Sequence, residues 1–172
     1  EAIARESQER LLAIELARKA EQARRLEATE ELAAGVRRLE SQVPELRARE
    51  GQSGWVLTVA SDTLFDRGEA SLRPEGRRAL EEVAQVLRQH PERDVLIEGF
   101  TDEAGGEVLN RRLAERRSNA VRNALVLSGV DGTRLMARGM GGSFPRSNAG
   151  NRVEIVIAAE QRRSAAGIGG TR

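Results

Sequence analysis

The periodicity of this chain changes at Gly51-Gln52-Ser53-Gly54, and that change limits what it can fold into. Before it, residues 1–49 are dominated by Ala, Glu, Arg, Leu and Gln, with Gly35 as the single glycine. Such residues lose little freedom in a helix. After it, short apolar runs alternate with helical stripes. The 172 residues therefore divide into an elongated helical part and one ordinary domain. The expected boundaries are a helical spacer over 1–49, a linker over 50–54 and a domain over 55–159. A Gly-, Ser- and Arg-rich tail over 160–172 is expected to be disordered.

Apolar residues in the helical part form two sets. Leu12, Leu16, Ala20, Ala23 and Leu26 make the first; Leu32, Val36, Leu39, Val43 and Leu46 make the second. The second alternates four and three, the spacing of a heptad seam, but for only two heptads. The sets do not join in one phase. Pro44 should end or kink the helix near Val43. A stripe of this kind needs an apolar partner, so weak self-association through Leu32, Val36, Leu39 and Val43 is expected. The well-mixed charges do not suit a membrane-surface helix. The domain, begun near Gly54, is expected to fold without this segment.

Within the domain, 55–60 reads as a strand. Pro74 suits the first turn of a helix carrying Leu80, Val83, Ala84 and Leu87 and closing before Pro91. Residues 95–99 form a second strand. A second helix over 107–127 places Leu109, Leu113, Ala120, Val121, Ala124 and Leu125 on one side, with Gly129 as its stop. Residues 135–139 are a short third strand. Residues 152–158 alternate charged and apolar, as in a strand with one wet face. The order β-α-β-α-β-β predicts an α/β fold, an α+β sandwich. One mixed sheet would be covered on one face by two helices, preceded by the long N-terminal helix. The last two strands could pair as an antiparallel ribbon.

Composition removes several chemistries. There is no cysteine, and His90 is the only histidine, so Cys or His metal clusters and His-dependent triads are excluded. His90, before Pro91, reads as a helix cap. A net charge of +1, from 28 basic and 27 acidic residues, lacks the basic surface a nucleic-acid binder needs. Aromatics are 2% of the chain, too few for base-stacking platforms. No cofactor motif is present. Asp62, Asp66 and Glu69 lack calcium-loop spacing. Gly139-Met140-Gly141-Gly142 is followed by neither the Lys nor the helix of a phosphate loop. No apolar run approaches the roughly 18–20 residues that span a bilayer. The chain opens at Glu1 in helical character, so an export signal or membrane anchor is expected upstream.

The informative stretch is Gly99-Phe100-Thr101-Asp102 followed by Asn110, Leu113 and Arg117. Asp102 falls just after a strand, in the loop leading into a helix, where ligands gather in open α/β sheets. Asn110, Leu113 and Arg117 are spaced three and four apart, along one helical face. A carboxylate opposite a guanidinium suits a zwitterion, and the Arg fork can bond both oxygens of a carboxylate. Taken singly, Asp102 also reads as a turn cap and Arg117 as a solvated helix residue.

In these residues the chain resembles the OmpA-like domain family, in its outer-membrane lipoprotein branch. The family has a Gly-His-Thr-Asp loop, an Asn-x-x-Leu-x-x-x-Arg helix and an Asn-Arg-Arg-Val-Glu strand. Here these stand as Gly99 to Asp102, Asn110 to Arg117, and Asn151-Arg152-Val153-Glu154; Leu64-Phe65-Asp66-Arg67-Gly68-Glu69-Ala70-Ser71-Leu72 matches the family's first loop. The resemblance implies non-catalytic binding of peptidoglycan through the diaminopimelate of its stem peptides. It also implies a periplasmic, outer-membrane-associated place in a Gram-negative envelope, with membrane attachment only through the absent anchor. By the same resemblance, Asp102 would hold the ligand's ammonium and Arg117 its carboxylate. Thr101, Asn110, Leu113 and Arg152 would complete the site. Phe100 stands where the family has His, the 142–150 loop is short, and one Arg of the final motif is missing. Rival expectations are a stator anchor of the MotB type and an oligomerisation protein carrying this domain incidentally. A wall-cleaving enzyme would need a nucleophile, a metal or paired carboxylates that no motif marks.

Overall fold

A computed structural model describes residues 1–102, 105–141 and 150–161. Contacts divide the chain into two units, Glu1–Gly35 and Val36–Arg172. Helix α1 (Ala2–Gln42) begins in the first and ends in the second. Its ending follows from Pro44, which disfavours helical geometry in the residue before it. The last helical bond runs from the Val43 N–H to the Leu39 carbonyl at 2.8 Å.

In the first unit Leu12, Leu16 and Leu26 are 57–62% exposed. The surface pairs Arg10–Glu6 and Arg25–Glu21, each one helical turn apart, add only tenths of a kcal/mol. In the second unit Val36, Leu39, Val43 and Leu46 are buried in the core, and Leu32, just before it on α1, is buried too. The seam expected to meet a second copy is therefore not on the surface, which corrects the self-association expected through Leu32, Val36, Leu39 and Val43.

The linker reading of 50–54 is also corrected. Strand β1 (Arg47–Gly51) pairs antiparallel with β2 (Gly54–Ala60), with Arg47 opposite Thr58 and Gly51 opposite Gly54. Gln52 and Ser53 are thus the tip of a two-residue hairpin. Gly54 has φ 132°, and a Cβ there would lie 1.9 Å from the Ile157 carbonyl oxygen. The turn therefore requires glycine. Arg, Ala and Glu are poor strand formers, so β1 reads as the end of a helix in sequence. It is tolerated as a solvated edge strand, where charged side chains also discourage edge-to-edge pairing.

A one-turn helix α2 (Ser61–Leu64) follows, then α3 (Pro74–Gln89) and β3 (Arg93–Phe100). Next come α4 (Glu107–Leu127), a 3-10 turn (Gly132–Arg134), β4 (Leu135–Gly141) and β5 (Arg152–Gln161). Pro74 opens α3, as its fixed φ and missing donor allow. Helix α4 closes in a Schellman arrangement. The Val130 N–H donates to the Leu125 carbonyl and the Gly129 N–H to that of Val126, with Gly129 at φ 94°. His90 caps α3 and is buried. Above it, the buried Arg134 guanidinium donates to the carbonyls of Leu87, His90 and Arg93 at 2.7–2.8 Å. These bonds absorb acceptors that the helix end leaves open.

The sheet order is β1-β2-β5-β3-β4. The final strand does not pair with β4 as a ribbon. It inserts between β2 and β3 and runs antiparallel to both, whereas β3 and β4 are parallel. Leu57, Val59, Val153, Ile155, Ile157, Val95 and Ile97 form the buried inner face of the three central strands. Burial of each such side chain contributes roughly 1.5–3 kcal/mol before entropy is counted. Gly99 and Gly139 let α4 lie directly on the same face. A Cβ at either would come within 2.4 Å of α4 backbone, at the Ala114 carbonyl oxygen and the Glu115 nitrogen. Leu109, expected on the buried side of α4, is instead exposed near its start. β5 continues to Gln161, so the expected tail begins within a strand, and 162–172 lie outside the described residues.

Candidate ligand-binding site

Asp102 stands two residues beyond the carboxyl end of β3, where the sheet stops and α4 has not begun. Its side chain is exposed, while its backbone N–H donates to the Asn151 Oδ1 at 2.5 Å. Asn151 stands at the start of β5, and its own carbonyl accepts the Ser61 N–H at 3.0 Å. A single residue therefore ties the end of β3 to the junction of β2 and α2.

An open cleft of about 830 Å³ lies at this point, with Asp102 and Asn151 on one side and Phe65, Asp66, Arg67 and Gly68 on the other. Arg73 lies at its margin, its guanidinium donating to the Asp62 carbonyl at 2.9 Å.

The expected face of α4 is present: Asn110, Leu113 and Arg117 are all buried. Arg117 is only 2% exposed, which departs from a side chain standing in an open cleft. Its Nε donates to the Glu69 carbonyl at 2.8 Å, and its guanidinium carbon sits 5.3 Å from the centre of the Phe65 ring. Arg117 thus lies beneath the loop that walls the cleft and shares Phe65 with it. Thr101 is buried, and its Oγ1 has no hydrogen-bond partner among the described residues. A buried hydroxyl in that state costs about 1–3 kcal/mol until a ligand group or water completes it.

Arg152 is placed differently from the other expected site residues. Gly99 and Val153 face α4, so strand alternation turns Phe100 and Arg152, which pair across the sheet, to the opposite face. There the Arg152 guanidinium stacks over the Phe100 ring at 4.0 Å. It also donates to Glu154 at 2.9 Å and to the Gly150 carbonyl at 3.2 Å. Phe100, in the position of the family's His, serves as the platform for this stack. Glu103 and Ala104 of the Asp102 loop and residues 142–149 of the short final loop lie outside the described residues.

Sequence reasoning missed Asn151 as a site residue, although it opens the motif quoted for the last strand. It also missed the contribution of 65–68, whose signal was the match of the first loop. Neither could be joined to Asp102 without knowing that β5 enters between β2 and β3.

A mixed sheet with α4 laid on it and a polar cleft at the strand ends defines an α/β sandwich with an open surface cleft. The chain belongs to the OmpA family, whose model matches residues 64–157. It is 36% identical over 111 residues to "Probable lipoprotein YiaD" of Escherichia coli K12, covering 60% of this chain and 51% of that protein. The chain thus spans about half the length of this curated relative. Among solved structures, the peptidoglycan-associated lipoprotein of Burkholderia pseudomallei is 34% identical. It has a TM-score of 0.51 over 55% of this chain and 87% of that one. The cell wall anchor of the type VI secretion system of Pseudomonas aeruginosa is 25% identical. Its TM-score is 0.62 over 76% of this chain and 96% of that one.

Proposed function

We propose that this domain binds peptidoglycan without cleaving it, as a periplasmic anchor associated with the outer membrane. The names of its relatives support this reading: a probable lipoprotein, a peptidoglycan-associated lipoprotein and a cell wall anchor. The observation that carries the finer reading is the cleft joining exposed Asp102 to the loop that covers Arg117. A carboxylate at the rim and a guanidinium beneath the opposite wall suit the zwitterionic end of diaminopimelate. Asp102 takes the ammonium, and Arg117 takes the carboxylate as the 65–69 loop adjusts. Thr101, Asn110 and Leu113 are buried and do not line the open cleft; on this reading they back the site, and the Thr101 hydroxyl supplies one more hydrogen bond. The exposed stretch of α1 before Leu32 acts as a helical spacer.

Sedimentation with purified sacculi tests the wall reading, and calorimetry with defined stem peptides tests the ligand. A charge-assisted contact is worth about 1.5–3 kcal/mol, so Asp102→Ala should weaken binding on the order of tenfold to a hundredfold. Lysine-type stem peptides lack the side-chain carboxylate and should bind more weakly by a similar factor. Equal affinity for the two peptide types would sink the zwitterion assignment. Undiminished sedimentation of the Asp102 variant would remove Asp102 from the site.

A further inference from the structure

The residues beside Asp102 carry an inference about how the carboxylate is presented. Asp102 lies at a chain end of the sheet, beyond the last ladder bond of β3, so strand pairing does not fix its backbone. Its N–H is held by the Asn151 side chain instead. The same residue uses its carbonyl to hold Ser61, the first residue of α2, which leads into the opposite wall at Phe65. Both walls of the cleft are therefore referred to one side chain and its backbone.

Asn151 is in turn fixed from the far face of the sheet. Its neighbour Arg152 is 8% exposed and has three separate attachments: the Phe100 ring, the Glu154 carboxylate and the Gly150 carbonyl. A planar guanidinium stacked and bonded in this way has little rotational freedom left. Gly150 and Arg152 flank Asn151 on either side, so the bond from Arg152 to the Gly150 carbonyl closes a small ring around it. Phe100 immediately precedes the Thr101–Asp102 pair. The stack thus clamps β3 and β5 together at the two residues that lead into the site.

We propose that Asn151 is a positioning residue that sets the Asp102 carboxylate against the opposite wall, and that Arg152 stacked on Phe100 holds Asn151 in place. On this assignment Arg152 acts from behind the sheet and does not touch ligand. The proposal rests on Asp102 being the ligand's ammonium partner, as read above.

The test is a double-mutant cycle on the full chain. Affinity is measured calorimetrically for a muropeptide containing meso-diaminopimelate, and folding is checked by thermal melting of each variant. Asn151→Ala should weaken binding by about fivefold to thirtyfold, the value of one lost hydrogen bond to a functional loop. Asn151→Asp keeps an oxygen at the same reach and should retain binding, which separates positioning from a folding defect. With Asp102 already replaced by Ala, Asn151→Ala should cost nothing more. Arg152→Gln should weaken binding severalfold in the wild-type background and not at all once Asn151 is Ala. The proposal is overturned if Asn151→Asp binds as poorly as Asn151→Ala. It is also overturned if the Asn151 or Arg152 effect persists in full after its intermediary is removed, since direct ligand contact would then be at work. If Asp102→Ala alone leaves affinity unchanged, the ligand reading itself fails, and that outcome is distinct from either of these.

Discussion

Arg117, proposed above to hold the ligand's carboxylate, is also part of the core. Its spacing from Asn110 and Leu113 predicts a cleft residue, yet it is buried beneath the first loop, bonded to the Glu69 carbonyl and resting against Phe65. A buried guanidinium cannot be removed without leaving its acceptor and its packing surface unfilled. Arg117→Ala should therefore cost about 1–3 kcal/mol of stability in addition to weakening ligand binding. Asp102→Ala should leave the melting temperature nearly unchanged, because its side chain is exposed and its backbone bond to Asn151 survives. Chemical denaturation of the two variants side by side checks the contrast. An Arg117 variant as stable as wild type would mean that the Glu69 carbonyl is readily solvated and the loop loosely held.

At the scale of elements, the boundary of the folded domain moves. A chain started at Gly54 would lose edge strand β1 and the buried side chains Val36, Leu39, Val43 and Leu46. The exposed backbone of β2 would then become an unpaired edge. Such a chain should be strongly destabilised or prone to aggregate. A chain started near Glu27, which removes only exposed residues, should melt like the whole. Leu39→Ala within the intact chain should cost about 2–5 kcal/mol, the usual range for deleting a fully buried leucine. Urea melts of the three proteins measure this. A stable, monomeric chain from Gly54 would show that the last turns of α1 and β1 are dispensable to the core.

For the whole molecule, the separation of the helix into an exposed stretch and a buried end bears on assembly. Leu12, Leu16 and Leu26 remain uncovered in the single chain, whereas the better heptad seam is used internally. Any self-association of the full chain should therefore depend on the first set. Leu12→Ser together with Leu16→Ser should abolish it, and substitutions in the second set should act by unfolding the domain. Sedimentation equilibrium over a wide concentration range distinguishes these outcomes. On the proposed function, two joined domains should each hold a stem peptide, and wall attachment should then strengthen through effective concentration without any new contact.

The local features were legible in the residues. Pro74 and Gly129 mark helix ends, the alternation in 152–158 marks a strand, and the spacing of Asn110, Leu113 and Arg117 marks one helical face. Each of these depends on neighbours a few positions away, where backbone geometry leaves few choices. Three matters were decided only by tertiary structure. Arg47–Gly51 has no intrinsic leaning toward a strand and becomes one because β2 offers a free edge. The seam from Leu32 to Val43 satisfies heptad spacing, yet its residues Val36, Leu39 and Val43 are buried in the domain's own core, and periodicity does not name the partner. Asn151 meets Asp102 only because β5 inserts between β2 and β3, which brings together residues 49 positions apart. Strand order is set by non-local pairing and the burial of a whole face, and those free energies belong to no single segment of the sequence.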